Sequence, residues 1–183
     1  QIGLQRADLA FQIGRLLLRL DELEEQIASV ADGQPIAAAA KPAVPAEPVR
    51  GLPVGAPAPG FKLEGIYGET MTLDALRAQG KPVMLVFSDP GCGPCNALMP
   101  ELGAWQKEHG SELNIAILSR GAAEVNQEKA TKGGISQMLL QKDREVSEAY
   151  QAFGTPSAVL ISPDGKVASP VAGGADRIRD LLK

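Results

Sequence analysis

The stretch Pro82-Val83-Met84-Leu85-Val86-Phe87-Ser88-Asp89-Pro90-Gly91-Cys92-Gly93-Pro94-Cys95-Asn96-Ala97-Leu98-Met99-Pro100 decides how this chain is read. Its first six residues form an unbroken apolar run, the pattern of a strand buried on both faces. From Cys92 to His109 the spacing turns helical, with Cys95, Leu98, Met99, Leu102 and Trp105 on one side. A pair of cysteines therefore sits where a buried strand hands over to a helix. Free amides at a helix start carry partial positive charge and favour an anion. A thiolate is such an anion, and a fall in thiol pKa from ~8.5 to ~7 raises its share at neutral pH from a few per cent to about half. Cys92, at the helix start, reads as the nucleophile. Cys95, one turn further in, reads as the buried resolving cysteine. Gly93 and Pro94 lie between them, and Pro94 occupies the first turn, where a missing amide hydrogen costs little.

The chain has 183 residues and only these two cysteines. That count excludes a disulfide framework of the kind that staples small secreted domains. As a static staple the pair would contribute only about 2 kcal/mol in the loop-entropy model, little for a domain with a full core. A metal site is the other reading. Structural zinc takes four ligands, and His109 is the only histidine. Copper(I) held by two thiolates, or a site shared between chains, stays open, but no metal is expected. The only cofactor expected is the Cys92–Cys95 disulfide itself. The net charge is −4, and no clustered basic face marks a nucleic-acid partner.

Working outward, strand and helix signals alternate across residues 52–183. Phe61–Ile66 reads as a strand, Tyr67–Thr70 as a turn and Leu73–Ala78 as a short helix. After the decisive stretch come a buried strand at Leu113–Leu118, a helix near Ala122–Ala130 and a short strand at Gln137–Gln141. Glu145–Phe153 reads as a helix. Ser157–Ser162 and Lys166–Ala168 read as a hairpin about Pro163-Asp164-Gly165, and Asp176–Leu182 as a closing helix. The order implies an α/β sandwich around one mixed sheet.

Residues 1–32 carry a heptad seam: Leu9, Ile13, Leu16, Leu20, Leu23, Ile27 and Val30. It reads either as a short parallel coiled coil, making a homodimer through residues 9–30, or as an amphipathic helix packed on its own chain. Residues 33–51 read as an Ala/Pro-rich linker. The Pro-rich composition extends over 34–60 and favours an extended, semi-rigid tether of several tens of Å, at about 3.1 Å per residue.

Phe153-Gly154-Thr155-Pro156-Ser157 completes the pattern. With Cys92-Gly93-Pro94-Cys95 it resembles the thioredoxin-fold proteins, over about residues 52–183. Within them the chain looks most like the membrane-tethered TlpA-like and ResA-like thiol–disulfide oxidoreductases of the redoxin/AhpC-TSA-like superfamily. The approach Gly55-Ala56-Pro57-Ala58-Pro59-Gly60-Phe61, the hairpin before the domain proper and the extra helix–strand unit at Ala122–Gln141 carry that likeness. It implies a three-layer thioredoxin-like sandwich, with Pro156 as a cis-proline beside the cysteines and Thr155 contacting substrate. Pro100 matches the proline that kinks the active-site helix, and Gly91 stands where relatives usually carry Trp. Gly91 thus leaves the substrate groove less aromatic.

Val86 and Leu98 occupy positions where relatives carry a buried Asp or an active-site Glu, which leaves the proton acceptor for Cys95 open. Asp89 and Glu101, close in sequence, read as solvated helix-end charges. The resemblance also implies protein thiol or disulfide substrates, an upstream electron donor, an extracytoplasmic location and a membrane anchor outside this chain. Two rivals remain. A peroxiredoxin would usually carry Thr or Ser three residues before its reactive cysteine, where this chain has Asp89, and an arginine near the loop, where none is apparent. The other is a copper(I)-binding or partner-recruiting module.

Overall fold

The computed structural model describes residues 51–183. The helix expected over 1–32 and almost all of the linker expected over 33–51 lie outside the described residues. Among the described residues seven strands form one sheet in the order β2-β1-β5-β4-β3-β6-β7. They are β1 Lys62–Gly65, β2 Thr70–Thr72, β3 Val83–Phe87, β4 Asn114–Ser119, β5 Met138–Leu140, β6 Ser157–Ile161 and β7 Ala172–Gly173. β3, β4 and β5 run parallel, and the outer strands join antiparallel on both sides. The sheet is therefore mixed, with the strand before the cysteines near its middle.

Among the described residues five helices cover it: α1 Leu73–Arg77, α2 Gly93–Glu108, α3 Ala123–Gly133, α4 Glu145–Ala149 and α5 Ala175–Asp180. Strand side chains alternate between faces, and the two cores follow that alternation. Val83, Leu85 and Phe87 of β3 pack with Leu73 and Leu76 of α1, with Val146 of α4 and with Tyr150 at its end. Met84 and Val86 face Leu98, Met99 and Leu102 of α2, Ala130 of α3 and Ile178 of α5. All five residues of β3 are fully buried, which is why its sequence shows no polar alternation. The result is the expected three-layer α/β sandwich around a mixed sheet.

Two close approaches fix the elements that matter for the site. A Cβ on Gly103 of α2 would lie 2.0 Å from the Gly133 carbonyl oxygen, so the glycine lets α3 lie tightly against α2. Tyr150 packs its ring 6.0 Å from that of Phe87 and donates its hydroxyl to the Pro59 carbonyl at 2.8 Å. The Pro-rich approach is thereby pinned to the sheet, and burial raises the Tyr150 pKa well above the ordinary phenol value.

Two expected elements differ. The helix expected over Glu145–Phe153 stops at Ala149, because Gln151 adopts a left-handed φ of 55°. Lys166–Ala168 does form the far side of the Asp-Gly turn, where Gly165 N–H donates to the Ser162 carbonyl at 2.9 Å and Ser162 N–H to the Lys166 carbonyl at 2.8 Å. It makes only isolated bridges, however. The strand on the outer side of β6 is instead β7, through Ser157↔Gly173 and Ala158↔Ala172. Two-residue strands carry no readable alternation, so β7 left no trace in the sequence.

Candidate active site

Cys92 and Cys95 are joined by a disulfide, with their Cα atoms 5.2 Å apart. Cys92 is the N-cap of α2 and remains partly accessible, whereas Cys95 is 1% exposed. The Cys95 N–H donates to Cys92 Sγ at 3.1 Å. A sulfur thus occupies the position that a Ser or Asp oxygen takes at an ordinary helix cap. Gly93 opens the helix and Pro94 lies in its first turn. Pro100 sits inside α2 and supplies no amide hydrogen to the preceding turn.

The Thr155–Pro156 peptide is cis. It places the Thr155 carbonyl oxygen 3.5 Å from Cys92 Sγ. In the oxidised pair this is a contact, since a disulfide sulfur has no proton to donate; a reduced thiol would have one. The structure therefore brings together Cys92, Cys95, Thr155 and Pro156 at the sheet edge where β3 ends and β6 begins.

A polar network that the sequence did not announce holds the loop before Cys92. Asp89 Oδ1 accepts the Gly91 N–H at 2.7 Å, and the Asp89 carbonyl accepts the Cys92 N–H at 3.1 Å. The other Asp89 oxygen pairs with Arg120, from the end of β4. Lys129, from α3, donates to the Pro90 carbonyl and, at 2.8 Å, to Asn96 Oδ1. Asn126, 1% exposed, donates to the Arg120 and Ala122 carbonyls at 2.9 and 3.0 Å and fixes the turn carrying Arg120.

Two expectations need correction. Asp89 is not a solvated charge: its side chain is 17% exposed. Burial works to raise its pKa, but the Gly91 amide and Arg120 outweigh it and hold the carboxyl below the ordinary range. Glu101 does keep the expected solvated setting, with its side chain 40% exposed, but it is paired. Arg179 binds both of its oxygens, at 2.7 and 2.8 Å, and lowers its pKa. The expectation that no arginine lies near the active-site loop fails too, because Arg120 reaches it and Arg144 lines the adjoining cleft. Arg120, Lys129 and Arg144 are far from the cysteines in sequence, so no local motif could reveal them. Among the described residues no three or more His, Cys, Asp or Glu side chains converge as metal ligands.

A family model described as AhpC/TSA matches residues 54–169. Thiol-disulfide oxidoreductase ResA of Bacillus subtilis is 32% identical over 122 residues, 65% of this chain and 67% of that protein. Methylamine utilization protein MauD of Paracoccus denitrificans is 25% identical over 134 residues, 73% of this chain and 66% of that protein. The chain thus spans about two thirds of the length of these curated relatives. Among solved structures, the thioredoxin domain of a thiol-disulfide oxidoreductase from Bacteroides vulgatus aligns with a TM-score of 0.62 at 23% identity. That alignment covers 72% of this chain and 96% of that one, a likeness of fold. With the cysteine pair at a strand-to-helix junction and a cis-proline beside it, the chain belongs to the AhpC/TSA family and, within it, to the thiol–disulfide oxidoreductases of thioredoxin fold.

Proposed function

We propose that this protein reduces disulfides in extracytoplasmic protein substrates through the Cys92–Cys95 dithiol. The observation that carries the reading is the Cys95 N–H directed at a partly accessible Cys92 Sγ at a helix start. Once the pair is reduced, that amide and the helix terminus favour the Cys92 thiolate. The thiolate attacks one sulfur of the substrate disulfide. The substrate S–S bond breaks, its leaving sulfur takes a proton, and a Cys92–substrate mixed disulfide forms. Cys95 then loses its proton and attacks Cys92 Sγ, which releases the second substrate thiol. Two electrons have passed to the substrate, and Cys92–Cys95 is again a disulfide. A dithiol donor must return the electrons. Thr155, at its distance from Cys92 Sγ, offers its backbone to the substrate strand, and Gly91 leaves room beside the nucleophile.

The extracytoplasmic setting is supported by the Pro-rich tract and the heptad seam, which suit a domain held away from a membrane by a tether. Among the described residues no helix is long and apolar enough to cross one. The test is trapping. A reduced Cys95→Ser variant mixed with an oxidised model protein should accumulate a mixed disulfide through Cys92, and Cys92→Ser should not. Hydrogen peroxide consumed by the reduced wild type with no trapped intermediate would instead assign a thiol peroxidase.

A further inference from the structure

Beside the disulfide, on the α4 side of the sheet edge, lies a cleft of about 90 Å³. That is well below the few hundred Å³ of a typical small-molecule site, so it suits one side chain or terminal group. Thr155 belongs both to its lining and to the contact with Cys92 Sγ. Anything seated there is therefore attached to, or adjacent to, whatever reacts at Cys92.

The unused groups of the lining are hydrogen-bond donors. Gln141 is 4% exposed, and its Oε1 accepts the Ser147 N–H at 3.3 Å. Its Nε2 has no hydrogen-bond partner among the described residues, yet it is not sealed away from the cleft. The Ser88 hydroxyl, in a residue 3% exposed that also lines the cleft, is buried without a partner.

Charge points the same way. Asp89, the one carboxylate of the lining, is occupied by Arg120 and by the Gly91 amide. Arg144 forms no ion pair among the described residues. Its acidic neighbours in the adjoining outer groove are Asp143, Glu145 and Glu148. Glu145 caps the backbone amides of Lys142 and Asp143 at 2.8 and 2.9 Å, and neither of the others bonds Arg144. The cleft lining therefore includes Arg144, without an ion pair among the described residues, and a free carboxamide N–H, with the exposed Phe153 beside them.

From this we infer that the cleft takes a carboxylate of the substrate, an acidic side chain close to the reactive cysteine, with Arg144 and Gln141 as its donors. The inference rests on the exchange reaction proposed above and names its substrate class: disulfides flanked by Asp or Glu. A charge-assisted bidentate contact from arginine is among the stronger polar interactions, and the gain appears in the rate of the exchange step.

The test uses the reduced full chain and a set of peptide disulfides identical except for Glu, Gln or Lys beside the reactive cysteine, on either side. Oxidised glutathione serves as a small carboxylate-bearing control. Second-order rate constants are measured at low and high salt. The Glu peptide should react about tenfold faster than its Gln counterpart at low salt, and the preference should shrink at high salt. Oxidised glutathione should show no comparable dependence on Arg144. Arg144→Ala should bring the Glu/Gln ratio to about one, Arg144→Lys should retain part of it, and Arg144→Glu should reverse it toward the Lys peptide. Equal rates for Glu and Gln peptides in the wild type, or a ratio that survives Arg144→Glu, would overturn the carboxylate assignment while leaving the exchange reaction intact. Glutathione reduction that depends on Arg144 as strongly as the Glu peptide would assign the cleft to free glutathione. No exchange with any peptide would remove the proposed function and this inference together.

Discussion

β3 and the loop that follows it are neighbours in sequence and opposites in construction. Val83–Phe87 is held by apolar side chains with no exposed surface on either face of the sheet. Ser88–Cys92 contributes no residue to either hydrophobic cluster and is held instead by Asp89, Arg120, Lys129 and backbone amides. The strand supplies stability and a fixed origin, and the loop supplies the electrostatics of a reactive sulfur. The two can therefore be broken separately: substitutions in the strand should move unfolding but not exchange chemistry, and those in the loop the reverse.

The largest effect is expected at Cys92. Cys92→Ser should reduce disulfide exchange to the uncatalysed background, while the melting temperature under reducing conditions stays that of the reduced wild type. On the strand side, Phe87→Ala removes a fully buried ring that packs on Tyr150. It should cost about 3–5 kcal/mol in denaturant unfolding, with little change in the rate of Cys92 alkylation in the protein that remains folded. Lys129→Met takes a positive charge away from the Pro90 carbonyl and Asn96. Alkylation of Cys92 near pH 7 should slow by about threefold, read as a rightward move of the pH profile, and unfolding should barely change. A smaller stability effect, about 1 kcal/mol, is expected from Tyr150→Phe, which loses the hydrogen bond to Pro59.

Acid gives a graded version of the same contrast. Asp89 and Glu101 both have folded pKa values below those of ordinary carboxylates. Their contribution to stability is complete above the unfolded carboxylate range, about pH 4, and is lost as pH falls through the lower folded values. Urea midpoints measured down the acid side should fall less steeply for Asp89→Asn than for wild type.

The same contrast explains what the sequence could show. β3, α2 and the cysteine pair were legible because local patterns encode them: an apolar run, a helical spacing and a tetrapeptide at the junction. The cis peptide at Pro156 was reachable through resemblance, since Gly154-Thr155-Pro156 before a strand is a recognisable arrangement. Arg120, Lys129, Gln141 and Arg144 were not legible. Arg120 and Lys129 make their contacts, and Gln141 and Arg144 reach the cleft lining, only once β4, β5, α3 and α4 are assembled around β3, and nothing in their immediate sequence distinguishes them from surface charges or amides. The sequence extends helix α4 too far because Tyr150 and Ala152 continue an apolar pattern that the left-handed Gln151 interrupts. The half-buried setting of Asp89 is hidden in the sequence for the same reason as its partner Arg120, since the pair forms only in three dimensions.

The central claim is tested most directly by the redox equilibrium of the Cys92–Cys95 pair against glutathione or dithiothreitol buffers, with the Cys92 pKa measured on the same sample. The account predicts reversible two-electron exchange at a potential near or below about −270 mV, with the thiol titrating below its ordinary ~8.5. A potential near about −120 mV would reverse the direction of electron flow and make the protein a disulfide donor. No reversible exchange at all would contradict the account.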